Sequence, residues 1–84
     1  MSYEVFIYQN ALKELKKLPK KDKEQIKEVL KRLTDFPSAM DTKKLRGLHN
    51  KFRIRSGNYR IIVEIEDGRL MVISILPRKT AYRK

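Results

Sequence analysis

The sequence predicts an α+β fold, one helical layer packed on one antiparallel sheet, in a single domain spanning residues 1–84. Three observations predict it. Apolar residues recur every three or four positions through the first half of the chain, alternate one by one through the second, and the alternating half is broken by Asp67-Gly68, a strong two-residue hairpin signal. Eighty-four residues suffice for one core, near the size at which folding alone is marginal, so a helix layer over one sheet face is the natural way to bury it.

Residues 3–7 alternate, with Tyr3, Val5 and Ile7 on one side and Glu4 and Phe6 on the other, which suits a first strand. Over 9–18 the spacing of Ala11, Leu12, Leu15 and Leu18 fits one face of a helix, which Pro19 ends. A second helix opens at Lys20 or Asp22 and carries Ile26, Val29, Leu30 and Leu33 at i, i+3, i+4 and i+7. It stops before Phe36-Pro37, and the two helices are expected as an antiparallel pair. Lysines and glutamates fill their outer faces, a solvated surface with weak ion pairs. Residues 38–50 read as irregular, and Arg46-Gly47 suggests a sharp change of direction, with a short strand before it as one option.

Strand-like runs follow at 52–55, 59–66 and 69–76, the first two joined by a three-residue turn, Ser56-Gly57-Asn58. The Asp67-Gly68 hairpin sets Glu66 opposite Arg69, Ile62 opposite Ile73 and Arg60 opposite Ile75. Phe52, Ile54, Tyr59, Ile61, Val63, Ile65, Leu70, Val72 and Leu76 then face the helices. The opposite face carries Arg53, Arg55, Arg60, Ile62, Glu64, Met71, Ile73 and Ile75, with Lys51 expected to point away from the arginines. Half basic and half apolar, this face suits a protein partner as well as a polyanion, unless residues 78–84 fold back over it.

Charge separates the halves. The net charge is +11, but residues 1–42 hold nine basic and seven acidic side chains (+2), whereas 43–84 hold twelve and three (+9). Such a field favours a polyanion, most plausibly nucleic acid, through steering and counterion release. No apolar run is long enough to span a bilayer, and no charged-then-apolar leader pattern opens the chain, so the expectation is a soluble, unprocessed protein with no membrane role. The lack of cysteine excludes disulfides, thiolate chemistry and cysteine-type zinc sites, and it agrees with a cytoplasmic location.

The only histidine, His49, has no partner at ligand spacing, and the three glycines are separate turn residues rather than a phosphate loop, so neither metal nor cofactor is expected. Serine–histidine–carboxylate chemistry finds no support. Glu64 and Glu66 stand two apart on a strand, where solvation beside arginines is a simpler reading than an acid–base pair. What remains is the arginine group, with Lys43, Lys44, Arg46 and Lys51 leading into it and Arg78, Lys79 and Tyr82 following. Guanidinium groups hold phosphates through paired hydrogen bonds and neutralise charge developing on a phosphorane. The reaction they could serve is RNA cleavage by attack of a 2′-hydroxyl on the adjacent phosphate; the bland alternative is a basic face that only binds nucleic acid. Arginine stays protonated at neutral pH and makes a poor general base, so such a site would work by positioning the RNA.

The order and spacing of these pieces resemble the RelE/ParE superfamily of toxins from toxin–antitoxin pairs, most closely its RelE branch. The resemblance runs nearly end to end: a strand, a helical hairpin beginning Ala11-Leu12-Lys13-Glu14-Leu15, then Lys44-Leu45-Arg46-Gly47-Leu48, Phe52-Arg53-Ile54-Arg55, Gly57, Tyr59-Arg60, and Ile73-Ser74-Ile75 to Arg78 and Tyr82. It implies a βααβββ fold with a curved antiparallel sheet, metal-independent mRNA cleavage in the ribosomal A site, and neutralisation by a RelB-like antitoxin. It also implies roles. Arg60 and Arg78 would grip the scissile phosphate, and Tyr82 would stack on a base or assist proton transfer. Arg53 and Arg55, with Lys44, Arg46 and Lys51, would hold the RNA backbone. Two departures stand out: arginines replace the lysines common before the turn, and Pro77 stands where histidine or lysine is frequent. A ParE-like inhibitor of DNA gyrase, or a catalytically weak nucleic-acid-binding relative, is the alternative.

Overall fold

The computed structural model describes residues 3–36, 41–45, 47 and 50–77. The elements run β1 (Glu4–Ile7), α1 (Gln9–Lys16), α2 (Lys20–Lys31), a 3₁₀ turn (Leu33–Asp35), β2 (Asp41–Lys44), β3 (Lys51–Ser56), β4 (Tyr59–Glu66) and β5 (Arg69–Pro77). The five strands form one sheet in the order β1-β5-β4-β3-β2. Two helices on one sheet match the expected fold class. Two strand pairings go beyond it: β2, the short strand left as an option before Arg46-Gly47, pairs with β3, and β1 joins β5 in parallel, making the sheet mixed. The lysine-rich run Asp41-Thr42-Lys43-Lys44 carries no apolar alternation, which is why the sequence leaves it only an option as a strand.

The helices form where the spacing places them. Ala11 and Leu15 of α1, and Ile26 and Val29 of α2, are buried, while Leu33 carries the same face on through the 3₁₀ turn. Leu12, expected on the buried face, is 37% exposed. Pro19 takes the cap position of α2 with φ −56°, where its missing N–H costs nothing. Buried Phe36 closes the core edge to face with Tyr3 (centroids 6.2 Å, 68°) and Phe52 (5.6 Å, 70°). Ile54, Ile61, Val63, Leu70 and Val72 supply the sheet side, as their alternation predicts.

Both hairpins are two-residue turns. Asp67 (φ 51°) and Gly68 (φ 76°) are both left-handed, as a type I′ turn needs. Ser56 pairs with Tyr59, so the loop between β3 and β4 is Gly57-Asn58 rather than three residues, with positive φ only at Gly57. The β4–β5 ladder starts in the expected register, Glu66 opposite Arg69 and Val63 opposite Val72, and then slips. A bulge leaves Ile73 as the extra residue, so Ile62 pairs with Ser74 and Arg60 with Leu76, correcting the expected partners Ile73 and Ile75. The slip reverses the assignment of the strand's end: Ile75 is buried in the core, and Leu76 takes its place beside Arg60 on the open face.

Helix α1 completes the ladder there. β1 ends at Ile7, leaving the next stretch of β5 with no strand on that side. Asn10 Nδ2 donates to the Ile73 carbonyl (2.9 Å), and the Ile75 amide donates to Glu14 Oε1 (2.9 Å), so side chains stand in for a neighbouring strand.

Candidate nucleic-acid interface

The sheet face turned away from the helices is organised in cross-strand rows. Arg55 stands directly opposite Arg60, with Leu76 beyond. The next row is Lys43, Arg53, Ile62 and Ser74; the one after is Lys51, Glu64, Met71 and Phe6. Successive rows lie about 6.6 Å apart and neighbouring strands about 4.8 Å apart. Lys43, Lys51, Arg53, Arg55 and Arg60 therefore occupy the β2–β3–β4 side of the face, and Leu76, Met71 and Phe6 the β5–β1 side, where Arg69 and Glu4 form the last row.

Lys51 corrects the expectation that it points away from the arginines: residues two apart on a strand share a face, so Lys51, Arg53 and Arg55 project together. Arg60 differs from the expectation in another way. It lies on the open face but is only 3% exposed, whereas Arg55 is exposed and Arg53 and Lys51 are half-buried. The Nε of Arg53 is buried with no hydrogen-bond partner among the described residues. A buried donor of this kind is costly to leave unmade, and an oxyanion satisfies it with a charge-assisted bond. Beside it, a cleft of about 580 Å³ is lined by Lys43, Lys44, Leu45, Gly47 and Arg53. Lys43, one of the cations that lead into the arginine group along the chain, thus lines the site beside Arg53. Arg46, Arg78 and Tyr82 fall outside the described residues.

Glu64 accepts a hydrogen bond from Asn50 Nδ2 at 3.1 Å and stands across from Lys51. Four residues separate it from Arg60 along β4, about 13 Å at strand rise, which removes it from a phosphate held at the Arg55–Arg60 row. No group of three or more histidine, cysteine or carboxylate side chains able to hold a metal ion occurs among the described residues.

The arginine end of the sheet is tied to the helix layer by a contact that sequence reasoning missed. The Tyr59 hydroxyl donates to Asp22 Oδ2 at 2.9 Å, linking the first residue of β4 to the first turn of α2. The hydrogen bond to Asp22, reinforced by burial and by the carboxylate's charge, raises the Tyr59 phenol above its ordinary pKa of 10.0. Close by, a Cβ added at Gly57 would stand 2.9 Å from Gln25 Oε1, so α2 also packs against the turn itself. Tyr59 faces the helices while Arg60, next in sequence, faces the other way, so the lock on one side fixes the backbone that aims the arginine on the other.

Comparison with known proteins agrees with this architecture. Residues 5–82 match the family model described as the ParE toxin of the type II toxin–antitoxin system parDE. The chain is 33% identical to Toxin RelE3 of Methanocaldococcus jannaschii over 93% of each protein. It is 32% identical to the mRNA interferase toxin RelE of Escherichia coli K12, over 89% of this chain and 80% of that one. Among solved structures, the RelB–RelE antitoxin–toxin complex from Methanococcus jannaschii superposes with a TM-score of 0.81 at 30% identity, covering 92% of this chain and 94% of that one. The intact E. coli RelBE complex gives 0.72 at 32% identity, over 90% and 96%. A match to the family model over residues 5–82, relatives named RelE and a shared fold together place this chain in the RelE/ParE family of type II toxin–antitoxin toxins.

Proposed function

We propose that this toxin is an endoribonuclease that cleaves mRNA in the ribosomal A site without a metal ion, acts in the cytoplasm, and is held inactive by a RelB-like antitoxin. The observation that carries the reading is the gathering of Arg53, Arg55 and Arg60, with Lys43 and Lys51, on one sheet face. In the reaction the RNA 2′-oxygen attacks the adjacent phosphorus in line. The O2′–P bond forms, the P–O5′ bond breaks, and the proton lost from the 2′-hydroxyl is balanced by one gained at the departing 5′-oxygen. Arg60, buried and presented from a fixed strand, together with Arg78, binds the phosphate and neutralises its developing charge. Arg53 and Arg55 hold the backbone, with Lys44, Arg46 and Lys51 extending the grip, and Tyr82 stacks on a base or assists the leaving group. Lys51 and Glu64 share a row about 13 Å from Arg60, so neither is assigned the proton-removing step.

Primer extension on a translated mRNA, with and without ribosomes and with and without EDTA, tests this. Cleavage should need ribosomes and survive chelation. Arg60→Ala and Arg78→Ala should each relieve growth inhibition and abolish cleavage while still binding antitoxin; undiminished toxicity of both variants refutes the assignment. Because the matching family model bears the ParE name, DNA damage without mRNA cleavage would favour the gyrase-inhibitor reading instead.

A further inference from the structure

The open face of the sheet changes character from one side to the other. Beyond the arginine rows, its β5–β1 side presents two aromatic rings to solvent, Phe6 (43% exposed) and Tyr8 (44%). Phe6 sits beside Met71 in the row that begins with Lys51 and Glu64. The chain stays extended past Ile7: Tyr8 has φ −66° and ψ 151°, and its amide donates to the Val72 carbonyl at 2.9 Å. Tyr8 therefore shares a face with Phe6 and lies two residues nearer the arginine rows. The two rings line one cavity of about 670 Å³ with Glu4, Arg69 and Met71. Tyr8 also holds the cap position of α1 without a side-chain capping bond, where serine or aspartate would stabilise the helix, so its ring is not explained by α1.

The chemistry of this lining selects an occupant. Single-stranded RNA is recognised by stacking its unpaired bases on aromatic side chains and by hydrogen bonds to the base edges. Both means are present. Arg69 and Glu4 stand opposite each other in the last row, both exposed, and no ion pair joins them among the described residues. The rim of the cavity thus carries a planar donor beside an acceptor. Guanine is the base that offers a pair of acceptor atoms, O6 and N7, together with a pair of donor atoms, N1 and N2; an arginine takes the first pair and a carboxylate the second. The position also fits one continuous strand. Phe6 lies about 13 Å along the strands and about 10 Å across them from Arg60, and single-strand sites on small β-domains take about 4 nucleotides or more.

We propose that Phe6 and Tyr8, with Glu4, Arg69 and Met71, form a site for one unpaired base of single-stranded RNA, guanine above the others, so that the nucleic-acid interface continues from the cationic rows across β5 to β1. For the identity of the strand this rests on the endoribonuclease reading above. The two sides of the face divide the work. Lys43, Lys51, Arg53, Arg55 and Arg60 hold phosphates and read no sequence, whereas the β1 side adds sequence-dependent contact with a base. A second copy of this chain is a poorer occupant, since it would bring +11 against +11.

The probe is a fluorescein-labelled RNA of about six nucleotides, uridines with one guanosine, titrated into the full-length toxin at about 50–200 mM salt and compared with the all-uridine version. The parent should bind the guanosine oligomer about tenfold more tightly. Phe6→Leu and Tyr8→Leu, which keep an apolar side chain but lose the ring, should each weaken binding about five- to hundredfold, and Phe6→Tyr should retain it. Both rings are exposed, so neither change opens the core. The slope of log K against log salt should stay at the parent value in these variants, because no phosphate contact is lost, whereas Arg55→Ala should lower it by about 1. Arg69→Gln should remove the preference for guanosine. Unchanged RNA affinity in both leucine variants, equal losses in Phe6→Leu and Phe6→Tyr, no binding of either oligomer by the parent at the lowest salt, or a change confined to self-association would each overturn the proposal. Cleavage on ribosomes is read separately: ring-dependent binding without cleavage refutes the nuclease reading alone, and cleavage with ring-independent binding refutes this one alone.

Discussion

Replacing Tyr59 by phenylalanine removes one oxygen and little else, so it isolates the tie between α2 and the arginine end of the sheet. The lost interaction is a phenol donating to a carboxylate at 2.9 Å in a half-buried setting. A hydrogen bond to a charged acceptor contributes about 1.5–3 kcal/mol when buried, and partial exposure lowers the expectation here to about 1–1.5 kcal/mol. For a domain of this size, about 1 kcal/mol corresponds to about 4–8 °C in Tm. The pH dependence follows from the raised phenol pKa. Below pH 10 the group is protonated in both folded and unfolded chains, and the stabilisation is fully present. Between the unfolded value of 10.0 and the higher folded value the native state holds the extra proton, so stability falls as pH rises through that window. Chemical denaturation of parent and Tyr59→Phe from neutral pH upward should therefore show a constant difference that shrinks once pH passes about 10. Asp22→Ala should remove the same increment, and the double variant should add little to either single change. No difference at pH 7, a difference that persists undiminished above the folded pKa, or additive single-variant effects would refute the account.

Two further outcomes follow from the backbone. Glu14→Ala should cost about 1–3 kcal/mol, because the Ile75 amide loses its acceptor within the sheet; Glu14→Gln, which keeps an oxygen there, should recover most of it, with exchange at the Ile75 amide as the readout. Gly57→Ala should cost about 1–2 kcal/mol by equilibrium denaturation, since φ is +58°. Gly68→Ala, at φ +76° with nothing within 4 Å of the added methyl, should cost the strain alone. Similar losses for the two would mean that the exposed side chain of Gln25 swings aside.

Much of this fold was legible because local signals and tertiary packing agree. Ala11, Leu15, Ile26 and Val29 sit at helical spacing and are buried, and Asp67-Gly68 makes the turn its sequence demands. The features that escaped depend on pairing partners rather than on local pattern. β2, only an option in the sequence, has no apolar face, so its ladder with β3 is what makes it a strand. The bulge at Ile73 leaves an alternating run looking regular, and it is met by Asn10 and Glu14, more than 60 residues earlier. In the candidate site, the clustering of Arg53, Arg55 and Arg60 followed from alternation, but the burial of Arg60 and the Tyr59–Asp22 tie did not.

The parallel pairing of β1 with β5 sets a timetable for making this toxin. Val5 meets Leu70, a residue synthesised 65 positions later, and β5 lies between β1 and β4 in the sheet. At about 5–20 residues per second, β1 waits several seconds for the strand it pairs with. During that interval its apolar run is unpaired, and the row containing Arg60 lacks the strand that flanks it. A growing chain therefore cannot assemble this face before β5 has been made. The same long loop closure makes the pairing of β1 a slow, non-local event in folding.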